Sequence, residues 1–401
     1  MSDVIRAIAR FNAGRDPARL AIKYRAMRES PFAFLRATCH LFYRPLSDER
    51  WLSRAPAAWL CGDLHLENFG SYKGDNRLAY FDLNDFDEAV IGPCTLDLVR
   101  LQASILVASE SSQGDRQAAI RLCNTFVAAY ADAVALGKPF WIERDNAAGR
   151  VRQLLDGLRE RARPRFLDTR TIRKAGQRQL RIDGRKALPA SQDERERVGT
   201  LVRRIAAKEG RPEFFEVLDV ARRIAGLGSL GVERYIVLVR GKGSPDGNYL
   251  LDLKQALPST LPARLVAVQP SWRSEAHRVV ASMHRMQAVS MAFLRPIQQG
   301  KSSYVLRGLQ PAEDRIDFGA IHPAQDGAEG VIRTMGELVA WAQLRSSGHA
   351  GSATADALGA FVDSKHWRHD LLDAAKSCAA QTRKDWERYV QAYDAGAFGS
   401  G

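Results

Sequence analysis

Two acidic turns set around one short hydrophobic stretch constrain this chain more than any other feature. The first is Asp63-Leu64-His65-Leu66-Glu67-Asn68, and the second is Asn84-Asp85-Phe86-Asp87. An aspartate, an asparagine five positions later and an Asp-Phe after one strand suit one half of a phosphoryl-transfer site. The Asp can accept a hydroxyl proton, while the Asn and the second Asp can hold Mg²⁺ against phosphates. The set lies near residue 65 of 401. A chain with this chemistry would ordinarily still be building its nucleotide-holding part there, so the chain order is unusual.

The missing half is expected downstream. Gly226-Leu227-Gly228-Ser229-Leu230-Gly231 satisfies G-x-G-x-x-G. A dinucleotide-binding version would open a helix after the third glycine. Here the loop runs into Arg234-Tyr235-Ile236-Val237-Leu238-Val239, a β-branched and aromatic run that favours strand. A glycine loop between two antiparallel strands can drape its amides over a triphosphate, and the missing Cβ atoms permit the close approach. Gly226, Gly228, Ser229 and Gly231 are therefore phosphate-covering candidates. Lys254 ends the next strand, 23 positions after Gly231, where it can reach the α- and β-phosphates. The helix after it offers Glu275 as the acid that could pair with Lys254, and that pairing stays open.

Coarser patterning predicts an α+β chain. Residues 1–50, 95–136 and 328–395 read as helical, with strands near 57–61, 78–81, 217–225, 235–240, 249–254 and 304–307. A helix is expected over about 272–293, and the last seven residues read as a frayed end. The net charge of +13 is uneven. Residues 150–223 carry 21 Lys and Arg against 11 Asp and Glu, and this segment reads as largely helical. Such a surplus can attract nucleic acid, a phosphorylated substrate or an anionic surface, but sparse aromatics favour a solvated helical face. The five cysteines are scattered without a C-x-x-C pair, which argues for reduced, buried thiols rather than zinc or disulfides. No run approaches the roughly 18 apolar residues of a membrane span, and the first residues lack a secretory signal's apolar core, so a cytoplasmic location is expected.

Gly62-Asp63-Leu64-His65-x-x-Asn68 is similar to the G-D-x-H-x-x-N loop of aminoglycoside phosphotransferases and choline kinases, within the protein-kinase-like superfamily. In that group an Asp-Leu follows the metal-binding Asp by twelve positions. Counting from Asp85 lands on Asp97-Leu98, whereas counting from Asp82 fails, which selects Asp85 as the metal ligand and Asp97 as a brace. More narrowly the chain resembles the bacterial DUF2252 family. The resemblance runs through Ser30-Pro31-Phe32-Ala33-Phe34-Leu35-Arg36, both acidic turns, the glycine loop, Leu253-Lys254-Gln255-Ala256 and Tyr304-Val305-Leu306-Arg307.

The resemblance implies a two-lobed, circularly permuted kinase-like fold with a small antiparallel-sheet nucleotide lobe and a large helical catalytic lobe. Residues 1–213 would form the catalytic part, 214–312 the nucleotide-binding part, and 313–401 helices completing the catalytic lobe. Permutation predicts that the helix near Met335–Leu344 packs beside residues 50–62. The implied activity is ATP- and Mg²⁺-dependent phosphoryl transfer to a hydroxyl acceptor. Asp63 would accept the proton, His65 brace the loop, and Asn68 and Asp85 hold the metal. Three alternatives stay open: a nucleotide-binding pseudokinase, an AMP transferase, and nucleic-acid binding through 150–223.

Overall fold

A computed structural model describes residues 3–48, 52–111, 114–310, 315–316 and 327–398. The fold is α+β. Its site is positioned by two sets of strands joined through long buried helices.

The acidic turns belong to the first set. Strand Ala57–Leu60 pairs antiparallel with Val90–Pro93, so that Leu60 faces Val90. Between them Phe69–Lys73 and Ala79–Leu83 form a hairpin whose open end pairs Phe69 with Leu83. These two pairings fix both turns at one end of the strands: Asn84 N–H donates to the Asn68 carbonyl at 3.0 Å. Gly62 is required at this junction. Its φ is +79°, and a Cβ there would lie 2.2 Å from the Glu88 carbonyl oxygen.

Helix Thr95–Ser111 follows and is almost wholly buried. Next comes helix Arg116–Leu136, which is long and apolar enough to cross a membrane by composition. Its apolar face packs on helix Ala328–Arg345, and Tyr130 Oη donates to Gln343 Oε1 at 2.6 Å, so it is a core helix. The 328–345 helix also touches strand Ala57–Leu60, and Ala353 N–H donates to the Ala57 carbonyl at 2.7 Å. That is the packing expected for the helix near 335–344.

The second set is a six-stranded antiparallel sheet. Its spatial order is Arg295–Gln299, Ser302–Gly308, Tyr249–Ala256, Arg234–Val239, Val217–Arg223, Ala187–Pro189. Helix Gln192–Lys208, opened by a Ser191/Glu194 capping box, covers one face through Val198, Leu201 and Val202 against Tyr235, Val237 and Leu253. Leu250, Asp252 and Lys254 alternate onto the opposite face. Helix Glu275–Met286 connects the sheet back to the acidic turns.

The basic segment departs from expectation. Within 150–223, helices Gly149–Glu160, Arg163–Asp168 and Gln192–Lys208 alternate with a hairpin, Thr171–Lys174 and Gln177–Leu180, and with the sheet's edge strand Ala187–Pro189. The sheet unit therefore begins ahead of residue 214, while its expected end at 312 lies outside the described residues. The tail also differs: Phe398 packs 4.6 Å from Tyr24 and 5.2 Å from Tyr389, so the chain is anchored that far. All five cysteines are free and buried.

Candidate active site

One cleft collects the sequence-selected residues. It is lined by Asp63, His65, Asn68 and Asp85 from the first strand set, and by Gly226, Gly228, Ser229 and Lys254 from the sheet. Gly231 lies just beyond, at φ +88°, packed against Arg15 and Leu20.

Asp63 is held by helix Thr95–Ser111. Arg100, fully buried, donates from Nε to Asp63 Oδ1 at 2.6 Å, and a second guanidinium nitrogen reaches the same oxygen. Neither contact takes Oδ2, and Asp63 lines the cleft. Burial pushes the Asp63 carboxyl up to about 7 against the pull of Arg100, with Glu88 and Asp85 adding to the rise. A base poised there exchanges protons near neutrality. One turn earlier, Asp97 accepts from the Cys61 and Gly62 amides at 2.7 and 2.9 Å, which makes it the brace that the twelve-residue count implied. Tyr43 Oη donates to the Gly62 carbonyl at 2.6 Å.

His65 is buried and opens the short turn Leu66–Asn68, its Nδ1 accepting from Glu67 N–H at 3.2 Å. Burial, with Arg36, Arg100 and Arg315 nearby, keeps the imidazole neutral by lowering its pKa well below the usual value. It positions the loop and has no cation to offer.

Asn68 Nδ2 donates to the Asp63 carbonyl, leaving its Oδ1 available. Burial alone would raise Asp85, but Lys254, Arg307, Arg315 and Arg234 outweigh it and hold the carboxylate ionised. Asp82, by contrast, points away. Its carboxylate takes Leu83 N–H at 2.8 Å and Ala288 N–H at 3.1 Å, with Arg345 3.5 Å off. Among the described residues no three His, Cys, Asp or Glu side chains cluster as a metal cage. The donors here are instead one ionised carboxylate and one amide oxygen. That set fits Mg²⁺, which binds through one or two carboxylates with phosphates and waters filling the rest.

Lys254 Nζ pairs with Asp87, 167 positions away, and this is the partner that the sequence left open. Glu275 is not brought to the cleft; its carboxylate pairs with Arg278 at 2.7 Å. Arg278 in turn donates to the backbone carbonyls of Ala89 at 2.7 Å and of Asp87 and Leu257 at 2.8 Å. The helix after the lysine strand therefore acts through a buried arginine rather than an acid.

Sequence reading missed a set of arginines. Behind Lys254, the fully buried Asp252 takes Arg234 at 2.6 Å, Arg223 at 2.8 Å and Arg307 at 3.4 Å. These cations overcome the effect of burial and hold its carboxyl well below the usual range. Arg36, paired with Glu67 at 2.6 Å, and Arg315 line the cleft mouth.

The glycine loop is clamped from the N-terminal helices. Arg15 and Lys23 both donate to the Gly228 carbonyl at 3.0 Å, Arg19 donates to Val232 O at 2.9 Å, and Asp16 N–H to Gly231 O at 3.0 Å. So held, the cleft encloses about 90 Å³. Sites for small organic ligands usually offer several hundred Å³, so the cleft is narrow for one with the loop so held.

Part of the basic segment's charge is taken up in ion pairs: Arg178 on Asp168 and Asp246, Arg195 on Asp219, Arg197 on Glu233, and Arg222 on Glu194 and Asp16.

Fold and cleft together define an α+β protein with a two-sided acid-and-cation site. The family model described as "uncharacterized protein conserved in bacteria (DUF2252)" matches residues 15–392, and the chain belongs to that family. No curated protein and no solved structure matches it.

Proposed function

We propose that the chain is an ATP- and Mg²⁺-dependent phosphotransferase acting on a hydroxyl acceptor, with a permuted kinase-like order of its two halves. One observation carries this reading: residues far apart in the chain, Asp63, Asn68 and Asp85 on one side and the glycine loop with Lys254 on the other, line a single cleft. The antiparallel sheet, its glycine turn and the lysine one strand later match the arrangement expected for the nucleotide-holding half.

In this reading Asn68 Oδ1 and Asp85 would hold the metal, which when bound supplies charge neutralisation at the phosphates. Lys254, set by Asp87, fixes the phosphates under Gly226, Gly228 and Ser229. The acceptor oxygen bonds to the γ-phosphorus as the bond to the β,γ-bridging oxygen breaks, and the hydroxyl proton passes to Asp63 Oδ2. ADP leaves. Arg100 keeps Asp63 aimed and ionisable, so positioning and electrostatics do most of the work.

Calorimetric titration with Mg²⁺ and ATP, followed by hours of incubation and intact-mass analysis, tests it. Binding with ADP formation supports the reading. Binding without turnover favours a pseudokinase, and an AMP-sized mass gain favours nucleotidyl transfer instead.

A further inference from the structure

A second, larger groove is lined by Gly308, Leu309 and Gln310 at the exit of strand Ser302–Gly308 and shares no lining residue with the cleft. It has a volume of about 710 Å³, within the range of sites that enclose a small organic ligand. Its walls come from both strand sets: Tyr72–Ala79 and helix Gly149–Glu160 on one side, Asn248–Leu250 and Met291–Phe293 on the other.

Two properties define what it can hold. The floor is aliphatic, built from Leu155, Leu158, Met291 and Leu309, and it continues to Leu78, which is 52% exposed at the rim. Around that floor stand Lys73, Arg77, Arg159 and Arg163, none of which makes an ion pair among the described residues. The acids at the rim do not balance them: Asp145 is taken by Arg144 at 3.0 Å, and Glu143 stands alone. Four cations without an ion-pair partner among the described residues, set against the single acid Glu143, stand over largely aliphatic surface and attract an anion that brings its own apolar body. The groove's rings are already engaged, which disfavours nucleic acid: Tyr249 is covered by the Arg163 guanidinium at 3.7 Å and Phe166 by that of Arg161 at 5.2 Å, Phe293 stacks on Phe214, and Tyr72 is buried.

We infer that this groove is a binding site for a single-chain anionic amphiphile, with its phosphate or carboxylate head on Lys73, Arg77, Arg159 and Arg163 and its chain over Leu155 and Leu158. Because the groove is walled by both strand sets, its occupant would bridge them.

The probe is dodecyl phosphate below its micelle concentration, titrated calorimetrically into the full chain. Saturable one-to-one binding is expected, weakening about tenfold for every two methylenes removed. The double substitution Arg159→Gln with Arg163→Gln, and separately Lys73→Glu at an exposed strand end, should each weaken it at least about fivefold, as for loss of charge-assisted contacts. Inorganic phosphate alone should bind far more weakly. The inference fails if dodecyltrimethylammonium binds equally well, or if chain length has no effect. It also fails if both variants bind as the parent does, or if a single-stranded oligonucleotide displaces the amphiphile and is the ligand that the variants weaken.

Discussion

Arg100 Nε donates to Asp63 Oδ1 at 2.6 Å from a fully buried position, and the same guanidinium lies 4.5 Å from the Phe42 ring centroid. Asp63 therefore carries a cation on Oδ1 while Oδ2 takes no contact from it. Burial lifts its carboxyl to about 7, and Arg100 restrains that rise. Turnover that needs ionised Asp63 must climb with pH through about 7 and level off above it. Taking Arg100 away removes a restraint, so Arg100→Gln moves the limb to higher pH. At neutral pH the variant should lose about tenfold in kcat/KM for each pKa unit moved, with partial recovery in alkaline buffer. A pH–rate profile checks this; an unmoved limb would show that Arg100 does not tune Asp63.

Lys254 and Asp87 make the second test, against Glu275. Asp87→Asn leaves Lys254 without its carboxylate and should reduce turnover about tenfold or more, in keeping with loss of a charge-assisted contact. Glu275→Gln removes one partner of the buried Arg278, which keeps its carbonyl acceptors on Ala89, Asp87 and Leu257, and turnover should stay within about twofold. Steady-state kinetics of the two variants, with melting curves as a folding control, decide between them. The reverse order would restore Glu275 as the functional acid.

These two cases show what the sequence could and could not disclose. Asp63, Asn68, Asp85 and Lys254 were legible because each sits in a short motif whose spacing carries chemistry. Asp87 lay in plain view within Asn84-Asp85-Phe86-Asp87, but only folding brings it to a lysine 167 positions on. Arg100 had a readable signal, since it follows Asp97 by three positions and so shares its helix face. The hairpin Thr171–Leu180 was hidden because its inward residues include Arg178, a fully buried arginine satisfied by Asp168 and Asp246, so apolar alternation fails. The clamp of residues 15–23 on the glycine loop is long-range and leaves no local pattern.

That clamp yields a third prediction. Lys23 is completely buried and, among the described residues, donates to the neutral acceptors Asn12 Oδ1 at 2.9 Å and Gly228 O, and burial depresses its amine well below the usual range. Lys23→Met keeps the volume, removes a poorly compensated buried amine, and releases one hold on the loop, which Arg15, Arg19 and Asp16 still grip. The variant should melt no lower than the parent and bind nucleotide several-fold faster in stopped-flow mixing. Slower association would mean that the clamp builds the site instead of closing it.

A fourth concerns Asp252, the carboxylate that Arg223, Arg234 and Arg307 share. Asp252→Asn leaves those buried cations short of a counterion and should cost about 3–5 kcal/mol in urea unfolding. Its folded carboxyl pKa is depressed, so the stabilisation is full above the unfolded value near 3.9 and is lost as pH falls below it toward the folded one. The gap between parent and variant should accordingly be flat from pH 6 to 8 and narrow only in strong acid. A gap that widened with acidification would contradict the assignment.

In the proposed mechanism Asp85 is the carboxylate on which Mg²⁺-dependent transfer depends. The direct measurement is ADP formation from ATP over a Mg²⁺ series, with the parent, Asp85→Ala and Asp82→Ala side by side, each checked for an unchanged fold. The account predicts Mg²⁺-dependent ADP release by the parent that Asp85→Ala abolishes and that folded Asp82→Ala retains. Undiminished ADP release by Asp85→Ala would contradict it.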